Sequence, residues 1–422
     1  MKERLLAGLD LGSAWIRLAV GQVSAGPDRR ETLQIIGGVQ VPSHGLSKGA
    51  VSSLEDLVSS ISACLEQGER QIGVPISEAY VGLGGMHMQV QSAKGVIGVS
   101  RPDGDIREED VQRVLESARS IVNPANLEIL HVLPQSFTVD NQTGIKDPVG
   151  MQGIRLEVET HIVMGLTGHV RNLTKAVVRT GLDVTELVFG PLATAEAVST
   201  ARQRELGVVI INLGAATTSM SVFENGELLH AAVIPIGSDH ITSDIAIGLR
   251  TSLEVAERCK TQLVSAWASE VSKDELVDLR DMGAPESELV GPRFMSDVAH
   301  ARVEELFERV EAELRKIDRS GLLPAGALLT GGGAKLRGIV EVAKQTLRLP
   351  AAIAQTLPLP TPMPEVIQDP AFSTAVGLVT WGFEGERAST ARPSSGGMLG
   401  SGSDWLKKVT NPMKKVFKSF IP

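Results

Sequence analysis

Two cysteines in 422 residues are too few for a disulfide framework, and neither sits in a metal-ligand spacing. Cys64 falls on the helical pattern of Leu57, Ile61 and Leu65, and Cys259 on that of Val255 and Leu263. Both read as core residues. One tyrosine and nine phenylalanines offer little surface for stacking on single-stranded nucleic acid. The formal charge of −9 also argues against a general nucleic-acid partner. No run approaches the ~18 apolar residues that a membrane span needs. The opening MKERLLAGLDLG does not have the form of a secretory leader, because Asp10 interrupts the apolar run early. A cytoplasmic location is the expectation.

The composition, 42% hydrophobic and 22% charged, is that of a soluble globular protein, and the length calls for two or more domains. Residues 6–20, LAGLDLGSAWIRLAV, are echoed by residues 208–222, VVIINLGAATTSMSV. Each runs from an apolar strand through a turn into an alternating strand, and Asp10-Leu11-Gly12 aligns with Asn212-Leu213-Gly214. A third turn, Leu329-Thr330-Gly331-Gly332-Gly333, follows a short apolar run and precedes a helical pattern. Glycines let backbone N–H groups approach phosphate oxygens where a Cβ would stand in the way. Three such turns in this order predict two related halves closing on a nucleotide.

Between the turns, the patterns predict strands near 6–9, 15–20 and 33–41 and a helix near 54–65. Residues 85–165 read as an inserted α+β segment. Its short strands are expected near 89–91, 95–99, 129–133, 137–139, 154–159 and 160–164, with an amphipathic helix across Ile106, Val111, Val114, Leu115 and Ala118. Helix, strand and helix follow at 170–179, 184–189 and 191–200. The second half opens at Gly207 and carries helices near 242–249, 253–265, 294–319 and 336–345. Residues 273–292 are polar and punctuated by Gly and Pro, as in the strands and loops of a small subdomain. From Glu386 the composition becomes that of a linker, rich in Ser, Gly, Pro and Thr. Residues 404–422 then carry five Lys against one Asp, a charge of +4 that leaves −13 on the remainder.

Several segments give these patterns a family. ILHVLPQSFTVDNQTGIKDPVGMQGIRLEVETHIVMG (129–165), GVIGVS with DIREEDVQRVLESAR, FGPLATAEAV (189–198), VIPIGSDHITSDIA (233–246) and FSTAVGLVTWG (372–382) resemble the FtsA family of bacterial cell-division proteins, within the actin-like ATPase superfamily. The resemblance covers essentially the whole chain. It implies an α/β, actin-like (ribonuclease H-like), two-lobed fold. That fold has a duplicated βββαβα core, an inserted small α+β subdomain and a C-terminal amphipathic helix. The implied organisation is 1–84 with 166–203 and 371–385 as subdomain 1A, and 85–165 as inserted subdomain 1C. Residues 204–240 with 306–370 would form subdomain 2A, and 241–305 subdomain 2B. A flexible linker is expected at 386–403 and a membrane-targeting helix at 404–422.

The resemblance also implies ATP and Mg²⁺ as cofactors, polymerisation with further copies of the chain, and other division proteins as partners. It implies binding of the C-terminal peptide of the tubulin-like protein FtsZ, roughly within 241–305. The location would be the cytoplasmic face of the inner membrane at the division site, with FtsZ filaments tethered there.

By the same resemblance Asp10 places a carboxylate near the metal–phosphate cluster, reaching Mg²⁺ through water, and Gly12 and Ser13 donate to phosphates. A turn aspartate capping its own loop is the alternative for Asp10. The second loop departs from the family form Asp-Ile-Gly-Gly-Gly-Thr-Thr-Asp. It reads Asn212-Leu213-Gly214-Ala215-Ala216-Thr217-Thr218-Ser219, without either acid. Asn212, Gly214 and Thr217 would still meet nucleotide, but an amide brings no charge and cannot act as a base. Slow or absent hydrolysis is one reading, and a silent change the other. Glu196 falls where a water-positioning residue is held, or is a surface glutamate. Glu257 and Lys260 match a ribose- and adenine-contacting pair, with a surface salt bridge as the alternative. Gly331, Gly332 and Gly333 match the adenosine turn.

In the tail, Trp405, Leu406, Val409, Met413, Val416, Phe417 and Phe420 follow helical spacing. Lys407, Lys408, Lys414, Lys415 and Lys418 lie across from or beside them. Such a helix lies in the headgroup plane of an anionic membrane. Docking on a protein groove is the alternative. Asn411 and Pro412 suit a cap and first turn, so two short helical pieces hinged there are expected. Three functions remain open: a membrane-tethered adaptor with weak or no ATPase activity, an active ATPase, and a pilus-assembly adaptor.

Overall fold

The computed structural model describes residues 4–25, 31–122, 125–358 and 363–390. The amphipathic tail and the linker from 391 onward lie outside the described residues.

The first lobe is built on β1 (Arg4–Leu11), β2 (Trp15–Ala25) and β3 (Glu31–Pro42), an antiparallel meander. Helix α1 (Leu54–Ile72) crosses over to β4 (Glu78–Leu83), parallel to β1. Helix α1 begins on Ser53, whose side chain caps Asp56 N–H, and ends on Gly73 in the left-handed region. Its Leu57, Ile61, Cys64 and Leu65 are buried, so Cys64 packs in the core as expected.

The inserted unit follows β4. Its strands are β5 (Met88–Gly98), β6 (Leu127–Val139), β7 (Gln142–Ile145) and β8 (Arg155–Leu166), in the spatial order β5-β8-β6-β7, with α2 (Glu108–Ile121) packed on one face. Three pairs of predicted short strands are each one continuous strand here. The polar residues that seemed to divide β5 find partners on β8: Ser92 bonds His161 Nδ1 at 3.2 Å and Lys94 pairs with Glu157 at 2.7 Å. Pro134 in β6 lies opposite Thr160 at a register shift, which accommodates its missing N–H.

Helix α3 (Thr167–Val178) returns the chain to the first lobe at β9 (Asp183–Phe189), and α4 (Gly190–Val198) and α5 (Ala201–Leu206) lead to the second lobe. There β10 (Val208–Leu213), β11 (Thr218–Glu224) and β12 (Glu227–Ile234) repeat the meander. Helices α6 (Ser238–Leu249), α7 (Leu253–Gln262) and α8 (Pro292–Lys316) cross to β13 (Ala327–Thr330). Helix α9 (Ile339–Leu347) then leads to β14 (Ala351–Ile353). The stretch 273–292 holds only the paired two-residue strands Val277–Asp278 and Leu289–Val290 around a short 3₁₀ turn. Cys259 is buried.

The two large sheets have one topology. The orders β3-β2-β1-β4-β9 and β12-β11-β10-β13-β14 both join an antiparallel meander to two parallel strands. The expected duplication is therefore a duplication of fold. Two apolar clusters fill the interior, one around Leu9, Ile16, Phe189 and Trp381 that continues onto Val208, Ile210 and Phe223 of the second sheet, the other around Ile211, Phe307 and Leu329.

Helix α10 (Ser373–Thr390) crosses back and packs on β1 and α4. It continues through residues 386–390, where linker composition begins. Glu386 is held there by Arg4 Nη2 at 2.7 Å, which extends the helix past its apolar stripe. Among the described residues no helix is long and apolar enough to cross a membrane.

Candidate functional site

The lobes enclose a cavity of about 530 Å³, and all three glycine turns open onto it. Asp10, Gly12, Ser13, Asn212, Gly214, Thr217, Glu257, Lys260, Gly331, Gly332 and Gly333 all line it.

The first two turns are built alike. Gly12 N–H donates to Trp15 O at 3.1 Å, and Gly214 N–H donates to Thr217 O at 3.0 Å. A Cβ on either glycine would sit 2.6 Å from that same acceptor. The third turn differs. Gly331 has φ +85°, and a Cβ there would lie 2.3 Å from Asn212 Oδ1, so only glycine fits. Gly332 has nothing within 4 Å of a notional Cβ: that position is open.

Asp10 is half-buried at the end of β1, directly across the hairpin from Arg17. Burial raises its pKa to about 6, against the pull of the Arg17 guanidinium. Burial lowers the pKa of Arg17, while Asp10 and Asp369 act to raise it. In the second lobe the equivalent cross-strand pair is Asn212 and Ser219, so the cationic position is also lost there. Arg17 was not anticipated from sequence, although hairpin register from Asp10 points to it.

Asn212 does more than replace a carboxylate. Its Nδ2 donates to Thr374 Oγ1 at 3.0 Å and Thr194 Oγ1 at 3.3 Å, and those hydroxyls lie 2.9 Å apart. The amide thus ties the second lobe to α4 and α10 of the first. Thr330 and Ser373, with hydroxyls 2.5 Å apart, form a second link, and Lys335 Nζ with Asp369 Oδ2, at 2.6 Å, a third at the cavity wall.

Glu257 and Lys260 form a pair at 2.5 Å. Lys260 is buried and also donates to Thr242 Oγ1 at 2.8 Å, and that hydroxyl donates to Glu257 Oε2 at 2.5 Å. The pair is a fixed wall of the cavity.

Glu196 is elsewhere. It is buried on α4 in an ion pair with Arg204 of α5, and it does not line the cavity. The carboxylate expected to position water is held by Arg204 rather than turned to the cavity. The α4 residues that do reach the cavity are Gly190 and Pro191, neither of which offers a side-chain donor or acceptor. Asp239, Asp369, Lys335 and Thr374 also line the site and were not anticipated. The membrane-binding residues Trp405, Leu406, Lys407, Lys408, Val409, Met413, Lys414, Lys415, Val416, Phe417 and Phe420 lie outside the described residues.

A model of the family described as cell division protein FtsA matches residues 209–377, and one described as the SHS2 domain inserted in FtsA matches residues 85–164. The cell division protein FtsA of Bacillus subtilis is 36% identical over 91% of this chain and 85% of its own. That of Pseudomonas aeruginosa is 33% identical over 94% of each chain.

The chain belongs to the FtsA family.

FtsA membership gives it a role in cell division and identifies the inserted α+β unit with that SHS2 domain. The actin-like fold is shown independently. A PilM–PilN type IV pilus biogenesis complex superposes with TM-score 0.63 at 18% identity, covering 89% of this chain and 97% of that one. MreB5 of Spiroplasma citri bound to ADP superposes with TM-score 0.52 at 13% identity, covering 91% and 97%.

Proposed function

We propose that the chain binds Mg·ATP between its lobes and polymerises in the ATP-bound form. In this reading it tethers FtsZ filaments to the cytoplasmic face of the inner membrane at the division site. The observation that carries the nucleotide part is the convergence of all eleven proposed binding residues on one cavity. The cavity's chemistry fits the ligand: two backbone turns for phosphates, a glycine turn with an open position for adenosine, and a half-buried carboxylate at Asp10 whose ionised form burial disfavours even with Arg17 opposite, so that further counter-charge would favour it. Magnesium would supply that counter-charge, held by Asp10 directly or through water, with Asn212 as a neutral ligand to its hydration shell.

Hydrolysis is weak or absent in this reading. Neither Asn212 nor Gly190 can take a proton from water, and Glu196 is committed to Arg204. The FtsZ C-terminal peptide is assigned to residues 241–305 and the lipid surface to the basic amphipathic tail, both on family resemblance. In the same reading 1A (1–84, 166–203, 371–385) and 2A (204–240, 306–370) hold the duplicated cores, 1C (85–165) is the insertion and 2B spans 241–305.

Calorimetric titration with Mg·ATP tests the first part, with micromolar or tighter binding expected. Co-sedimentation with anionic vesicles, with and without FtsZ, tests the second. FtsZ should pellet only when the full chain is present.

A further inference from the structure

Asp239 is the second residue of α6, and its carboxylate is exposed toward the cavity. Its backbone N–H donates to Ala215 O of the second phosphate turn at 2.9 Å. On its other side, Ser238 borders the adenosine turn, with its Cβ 3.5 Å from where a Cβ of Gly333 would stand. Asp239 therefore sits between the structures that would hold phosphates and base. The part of a nucleotide that lies between those two is the sugar.

Its neighbours are already committed. Glu257 accepts from Thr242 and Lys260, and Lys260 donates to Thr242 and, at 3.4 Å, to Ser238 O. Among the described residues the Asp239 carboxylate has no hydrogen bond and no ion pair. Burial pushes its pKa up, with Lys260 opposing. It needs donors. Phosphate oxygens are acceptors and would repel it, whereas a ribose hydroxyl is a donor.

We propose that Asp239 reads the sugar of the bound nucleotide, its carboxylate accepting a hydrogen bond from a ribose hydroxyl and selecting ribonucleotide over deoxyribonucleotide. This rests on the nucleotide reading above and extends it to a residue outside the paired Glu257 and Lys260. Once the bound nucleotide covers the carboxylate from water, an analogue lacking the hydroxyl leaves it without a partner, so the site discriminates against that analogue.

The test is calorimetric titration of the full chain with ATP, 2′-deoxy-ATP and 3′-deoxy-ATP, each with Mg²⁺, for wild type, Asp239→Ala and Asp239→Asn. Asp239 is exposed, so both variants should fold, which a thermal melt confirms. The wild type is expected to bind one deoxy analogue about tenfold more weakly than ATP. Asp239→Ala should weaken ATP by a similar factor, leave that analogue unchanged, and so erase the preference. Asp239→Asn, which keeps an acceptor, should retain part of it. Equal weakening of all three nucleotides, no change in any, or a loss that vanishes without Mg²⁺ would overturn the proposal in favour of a charge or metal role. Absence of ATP binding by the wild type would instead overturn the nucleotide reading, and this inference with it.

Discussion

Glu196 of α4 and Arg204 of α5 form a buried ion pair away from the nucleotide cavity. Arg204 also lies over the Phe223 ring at 6.0 Å, which couples α5 to β11. The pair therefore joins the two lobes' connecting helices to the second sheet. Breaking it by Glu196→Ala removes the carboxylate paired with a buried guanidinium, and should cost about 3–5 kcal/mol. Denaturant unfolding should show that loss, while ATP affinity and phosphate release of the folded fraction stay at wild-type values. A selective loss of phosphate release with unchanged stability would restore the catalytic reading.

Gly332→Val should fold and fail to bind ATP. The position has nothing within 4 Å, so the side chain meets only the space proposed for adenosine. Calorimetry should show at least a hundredfold loss with an unchanged melting temperature. Gly331→Val is the contrasting case. With φ +85° and Asn212 Oδ1 in the way, it should lower stability itself.

Asp10→Asn should stabilise the ligand-free protein at neutral pH. The folded pKa of about 6 lies above the ordinary aspartate value of 3.8, so the charged form is disfavoured by folding. Wild-type stability is therefore lost as pH rises from about 4 through 6, and the full penalty persists above that. The gain from Asn should be on the order of 1–3 kcal/mol at pH 8 and vanish toward pH 4. Melting temperatures of both proteins across this range check it. The same variant should lose the magnesium dependence of ATP binding.

Phosphate release by the wild type should be well below about 1 s⁻¹ under saturating Mg·ATP. Asn212→Asp with Ser219→Asp should raise it by returning two carboxylates across one β10–β11 rung. Gly190→Glu should raise it further, since that position lines the cavity and a Cβ there meets Leu83 O no closer than 3.3 Å. Release near 1 s⁻¹ in the wild type would show that the altered loop does not impair turnover.

Truncation after Ser403 removes the five tail lysines and the apolar stripe while leaving every described residue. The shortened chain should bind ATP as before and no longer sediment with anionic vesicles. Salt should weaken full-length binding only in part, because the lysine contribution is screened and the apolar one is not. Equal sedimentation of both proteins would refute the anchor.

Much of the fold was legible because it is local. Strand, turn and strand follow one another within about fifteen residues in each half, and alternation with a glycine turn specifies that unit without distant contacts. Cys64 and Cys259 were legible as core because each falls on its own helix's apolar face. The strand breaks predicted inside the insertion were not real. Strand length depends on pairing, and β8 keeps β5 and β6 extended past polar residues and Pro134.

The site divides along the same line. By itself the sequence determined the three turns and the Glu257–Lys260 spacing, since glycine and i, i+3 geometry are properties of the chain near each residue. Only the tertiary structure decided that Glu196 faces Arg204 and that Asp239 looks into the cavity unpaired. Each helix residue turns the side chain by about 100°, so a few positions separate a cavity-facing group from a core-facing one. Which way α4 and α6 are rotated is set by what they pack against, and those partners lie far away in the chain.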